Sequence, residues 1–154
     1  MKTLKIWSLV ALMFVGLTAC NGESQEAPAE GLDKIVNEWV LATWGGENAE
    51  YTVYIDFNED NTFAIYQQVY TLSYEMYAGT YSISGSTLSG VYNDGSAWKC
   101  DYIASMNADG TVLTLVSNET ESTTGVYDVT VIPEAVKAEA TATRGVEVEG
   151  VPFL

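Results

Sequence analysis

The most restrictive feature of this chain is a two-residue alternation that begins near Trp39 and continues to Ile132. In "YTVYIDF" it places Tyr51, Val53, Ile55 and Phe57 on one face and Thr52, Tyr54 and Asp56 on the other. Only an extended strand with one buried face has that period. "TFAIYQQVYTL" continues it with Phe63, Ile65, Gln67 and Val69 in phase. Then come "MYAGTYSIS", "STLSGVY", "AWKCDYIASM", "TVLTLVS" and "TTGVYDVTVI", each rich in β-branched and aromatic residues.

The loops between these runs ("NEDN", "SGS", "NDGS", "NADG", "SNET") are short and made of residues that tolerate positive φ or bond their own backbone. Short loops imply antiparallel neighbours. With Trp39 to Trp44 as the first strand, the count is eight, the number that closes an up-and-down barrel around side chains or one small ligand. The fold class is therefore all-β, an eight-stranded antiparallel barrel over 32–137. A β-sandwich of the same strands is the alternative. "LDKIVNEW" puts Leu32, Ile35, Val36 and Trp39 at helical spacing, which predicts a short helical turn ahead of the barrel. Beyond Pro133, "PEAVKAEA" predicts a turn or two of helix. Residues 138–154 form a tail whose Val151, Phe153 and Leu154 either dock on the barrel or stay free.

The net charge is −15, and removing Lys2 and Lys5 with residues 1–19 leaves four cations against 21 acids, or −17. Nucleic acid is excluded as a partner by that sign, and an anionic membrane surface would repel the chain unless an apolar anchor held it. An anchor is legible. Lys2 and Lys5 precede an uncharged run from Ile6 to Gly16, too short to span a bilayer, which ends at "LTAC". That segment resembles the bacterial lipoprotein signal, with Leu17 and Ala19 ahead of Cys20.

The resemblance implies that Cys20 becomes the first residue and is acylated, which attaches the protein to a lipid bilayer. Two or three chains hold stably where one does not. The alternative is an ordinary secretory leader with a free thiol. Asn21 is not the acidic residue associated with inner-membrane retention, so the resemblance implies the outer membrane, on an undecided face. Residues 20–31, polar, acidic and broken by Pro28 and Gly31, read as a flexible tether.

No motif supports catalysis or a metal. Ser96 and Lys99 have Ser-x-x-Lys spacing, but that chemistry needs a helix and these residues enter a strand. "DFNEDN" begins like a calcium loop, yet Asn61 replaces the glycine and Gln67 the bidentate glutamate, so a hairpin turn is the better reading. Asp101 and Asp128 are out of phase with their strands' large apolar residues and should face water. Histidine is absent, and Cys100 shares a phase with Trp98 and Tyr102, as an inert buried thiol does. No cofactor is implied. Tyr54, Tyr66 and Tyr70 fall on the outward face, where an aromatic cluster would suit contact with a protein or a glycan.

"IVNEWVLATW", "YIDFNEDNTFAIYQ", "GTYSISGSTLSGVYNDGSAWKCDY" and "YDVTVIPEAV", in that order, resemble the lipocalin-like domains of small lipoproteins from Bacteroides-type bacteria. The resemblance implies an eight-stranded barrel on a lipid anchor. Trp39 occupies the place of the tryptophan that plugs the barrel base, with Asn37 where lipocalins carry glycine. The late arginine that packs over it has no counterpart, since Arg144 lies in the tail. A ligand-binding barrel is expected on this basis, with a small apolar ligand lined by Val53, Ile55, Phe57, Phe63, Ile65, Gln67, Tyr81, Trp98 and Tyr102. The competing expectation is a noncatalytic structural or interaction module whose interior is filled. A cavity of at least ~300 Å³ would separate the two.

Overall fold

A computed structural model describes residues 28–142 and 150–154. The leader, Cys20 and Arg144 lie outside the described residues. After a 3-10 turn at Leu32–Lys34, nine strands follow: β1 (Glu38–Trp44), β2 (Glu47–Asn48), β3 (Thr52–Phe57), β4 (Thr62–Gln68), β5 (Glu75–Ser84), β6 (Thr87–Tyr92), β7 (Tyr102–Met106), β8 (Val112–Ser117) and β9 (Thr124–Thr130). A helix, α1 (Glu134–Ala142), ends the run. Every pairing is antiparallel; β1 pairs with β3 past the short β2, each later strand pairs with the next, and β9 returns to β1, so eight strands close a barrel while β2 pairs only with the end of β1.

The extra strand has a local cause. Gly45 and Gly46 both take positive φ, as a two-residue hairpin turn requires, and they fold the chain back against Thr43 and Trp44. Where β1 meets β9 the register slips between Leu41 and Thr43, a bulge that lets β1 bend from β3 toward β2.

Two expected strands are shorter than their alternation suggested. β4 stops at Gln68 rather than running to Leu72, and β7 starts at Tyr102 rather than Ala97. In the second case the chain makes a single bridge at Ala97 to Val91, then turns so that the Trp98 indole lies on Gly90 inside the barrel. A Cβ on Gly90 would sit 2.2 Å from the indole. Gly90→Val is accordingly expected to cost about 1–3 kcal/mol by overpacking and to change the near-ultraviolet circular dichroism, as read in a urea titration.

The core is the inward phase of the strands, stoppered at the base by Leu32 and Ile35. Trp39 is wholly buried there, and its indole N–H donates to the Ile35 carbonyl at 2.9 Å. A second, smaller cluster lies outside the barrel wall, where Val136 and Ala140 of α1, with Ile132 just ahead of the helix, cover β4 and β5. Tyr66, expected to add to an outward contact surface, is buried beneath that helix, and Tyr54 is half-buried at its edge. Lys137 pins the helix by an ion pair to Glu38 at 2.5 Å, and Glu38 also accepts the Ile132 amide. Of the three outward tyrosines only Tyr70 stands clear, beside a fully exposed Leu72 in the β4–β5 loop.

Candidate functional site at the barrel mouth

Antiparallel order puts the ends of β1, β4, β6 and β8 and the beginnings of β3, β5, β7 and β9 on one rim. The opposite rim holds the tight turns at 58–61, 85–86 and 107–111 and the base stopper. All nine residues expected to line the interior are buried: Val53, Ile55, Phe57, Phe63, Ile65, Gln67, Tyr81, Trp98 and Tyr102. The aromatic ones among them, together with Tyr92, pack ring against ring. Phe57 meets Tyr81 edge-on at 4.9 Å, Phe63 meets Trp98 at 5.1 Å and Tyr92 at 5.6 Å, and Trp98 meets Tyr102 at 6.0 Å. Such edge-to-face contacts set positive ring edges on negative faces, and they stabilise beyond the area they bury.

The mouth differs from this apolar middle. Gln67 is 0% exposed and Glu75, its register partner across β4 and β5, only 4%. Glu75 was not among the expected interior residues, because a carboxylate at a strand start reads as solvated. Extending the inward phase of Tyr81 back through Gly79 and Tyr77 nonetheless reaches it. Its Oε2 accepts two long hydrogen bonds, both at 3.4 Å, from the Gln67 amide and the Tyr77 hydroxyl. Its Oε1 and the Gln67 Oε1 are buried without a hydrogen-bond partner, as are the Trp98 Nε1 and the Tyr127 hydroxyl. Native interiors hold few such atoms, and each marks either strain or a missing partner. Burial, with the Glu75 charge beside it, pushes the Tyr77 hydroxyl up to about 12, so it remains a donor.

Residues 150–154 fill the mouth. Gln67 donates to the Val151 carbonyl at 3.0 Å, and the Tyr92 hydroxyl donates to the Leu154 carbonyl at 2.7 Å. Phe153 lies against Trp44 at 4.7 Å and Tyr51 at 5.7 Å, while Leu154 is buried in the core cluster. Gly150 passes so near Tyr77 and Glu75 that a Cβ there would clash with both, at 2.4 and 2.5 Å.

The other motifs resolve as local structure. Asp60 accepts the amide and hydroxyl of Thr62, and Asn61 takes φ 61°, which makes "DFNEDN" a hairpin turn. The Ser96 hydroxyl donates to Asp94 at 2.6 Å, and both Ser96 and Lys99 are exposed. Asp101 and Asp128 face solvent. Half-buried Cys100 shares a hydrogen bond with the Tyr102 hydroxyl. No group of three acidic or cysteine residues able to hold a metal occurs among the described residues. A groove of about 590 Å³ between Lys99 and the Asn118–Thr123 loop is wide open to water and contains none of the buried orphaned atoms.

Neither a protein-family model nor a curated protein matches the sequence. Among solved structures, a lipocalin-like protein from Bacteroides uniformis superposes with a TM-score of 0.50 at 16% identity, covering 63% of this chain and 99% of that one. At that identity the likeness establishes the fold alone, and the fold of this chain is the lipocalin-like barrel.

Proposed function

We propose that the chain is a noncatalytic binding lipoprotein of the cell envelope, tethered to a bilayer through acylated Cys20, whose barrel takes a small, largely apolar ligand at its mouth. One observation carries the reading. Four buried polar atoms, on Gln67, Glu75, Trp98 and Tyr127, have no partner in an otherwise apolar interior. A site with an apolar body and a few aimed polar groups has that composition. The lipocalin-like fold is compatible with such a role but does not specify it.

The experiment is native mass spectrometry of the full chain purified from a bacterial membrane fraction. An adduct of small-molecule mass that is lost on denaturation supports the reading, and the same preparation should carry the added mass of acyl chains. Cys20→Ala should abolish that acyl mass and release the protein from membranes, by removing the thiol that follows the leader and would carry the acyl group.

A second reading has its own observation. The interior rings interlock, and Phe153 and Leu154 close the mouth, so the barrel as it stands is a filled module. On that reading Tyr70 and Leu72 are its contact surface for a protein or glycan. A ligand-free spectrum, unchanged after the mouth is opened by substitution, would favour it.

A further inference from the structure

The orphaned atoms at the mouth share one chemical sense. The Gln67 Oε1 and the Glu75 Oε1 are both acceptors, side by side on paired strands and shielded from water. A carboxyl group removed from solvent needs polar partners, and among the described residues Glu75 has only the two long bonds to its other oxygen. The described cations are elsewhere. Lys137 pairs with Glu38 on the outer wall, Lys34 reaches the Ala108 carbonyl at the base, and Lys99 is exposed on a loop. Next to the pair, Tyr77 reaches Glu75 with its hydroxyl and meets the Tyr92 ring edge-on at 6.3 Å, which adds aromatic surface to the mouth. The whole chain, at −15, concentrates cations near its surface.

The segment already in the mouth does half of what a ligand would. Phe153 and Leu154 supply apolar bulk, and the carbonyls of Val151 and Leu154 take up the Gln67 and Tyr92 donors. It supplies nothing to the two acceptors, and a backbone carbonyl cannot.

We propose that Gln67 and Glu75 form the head-group subsite for a ligand that carries a primary ammonium on an apolar body, and that residues 150–154 occupy the same mouth until such a ligand displaces them. The assignment rests on the binding reading above and adds the class of ligand. The ammonium's donors meet the Glu75 Oε1 and the Gln67 Oε1, and the apolar body takes the place of Phe153 between Trp44 and Tyr51. No covalent step is involved.

Three probes of one shape test it: 2-phenylethylamine, 2-phenylethanol and phenylacetate, titrated calorimetrically into the full chain at neutral pH and low salt. The amine should bind at least about tenfold more tightly than the alcohol, the value of one charged hydrogen bond, and the acid should not bind. Glu75→Gln, nearly isosteric, should erase that preference, whereas the exposed Asp101→Asn should leave it intact. Phe153→Ser with Leu154→Ser should tighten the amine about tenfold by raising the open fraction of the mouth.

The ranking on the unsubstituted chain needs no variant, so misfolding of Glu75→Gln would not shelter the proposal. Equal affinity for amine and alcohol, or a preference that survives Glu75→Gln, overturns the ammonium assignment alone. An amine affinity unmoved by the double substitution overturns the displacement. If none of the probes binds either the full chain or the opened variant, the binding reading falls with it.

Discussion

Replacing Trp39 by alanine is expected to remove about 3–5 kcal/mol of stability, a loss that most domains of this size do not survive at 37 °C. The indole is wholly buried at the base, beside Leu32 and Ile35, where the start of β1 pairs with the last residues of β3 and β9, so its removal leaves a void that flanking strands, locked by a closed ladder, cannot collapse into. It also orphans the Ile35 carbonyl, which accepts its N–H at 2.9 Å and ties the 3-10 turn to the barrel. Trp39→Phe separates the two effects. It keeps most of the ring and loses the donor, so about 1–2 kcal/mol is expected. Urea titration followed by far-ultraviolet circular dichroism measures both, and a Trp39→Ala loss below 1 kcal/mol would show that the base stopper contributes little.

The strands were legible because burial on one face leaves its mark at every second residue. Val53, Ile55 and Phe57 could hardly point elsewhere than inward, and Phe63 and Ile65 follow across the "NEDN" turn with the register the turn imposes. Closure into a barrel followed from the count of strands and the short loops. What alternation alone did not make plain is a charged residue on the inner face, although the phase of Tyr81 runs back to it. Glu75 follows "TLSY", where the pattern is interrupted, and its type argues for solvent; only the pairing of β5 with β4 sets it opposite Gln67.

The outer wall misleads in the converse way. Tyr66 alternates outward as the period says, but outward of the sheet is not outward of the protein, since α1 lies over it. That cover had a signal in Val136 and Ala140, four residues apart and so on one face of a helix, with the apolar Ile132 just ahead of it. The docking of Phe153 and Leu154 had none, because five residues without periodicity identify no face.

Raising the pH above 10 is expected to unfold the protein cooperatively near pH ~12, with stability falling by about 3–4 kcal/mol per pH unit. The cause is buried phenols. Tyr127 is wholly enclosed, and burial holds its hydroxyl well above the ordinary tyrosine value, with Tyr102 and Tyr51 nearby adding to the effect. Burial raises Tyr102 and Tyr92 as well.

The sign follows from proton counting. Below pH ~10 both folded and unfolded chains keep these protons, so the folded state loses nothing. Above it the unfolded chain releases them while the folded barrel cannot, and each fully shielded tyrosine favours unfolding by about 1.4 kcal/mol per unit of pH. Tyr127 contributes the full slope, and Tyr92 and Tyr102, less completely enclosed, contribute most of it. Lys137 acts in the same sense. Its hydrogen bond to Glu38 raises its pKa, and the ion pair's contribution, present below the unfolded lysine value, is lost as pH rises through the folded one. Phenolate absorbance near 295 nm and circular dichroism recorded together test this: the buried fraction should ionise only as the ellipticity collapses.

Tyr127→Phe supplies the control. Its hydroxyl has no partner, so at pH 7 the substitution should be neutral or slightly stabilising, while at alkaline pH it should remove about a third of the slope. Full ionisation of all ten tyrosines near pH 10 with the barrel intact would mean that water reaches these hydroxyls, and the enclosed interior described above would have to be abandoned.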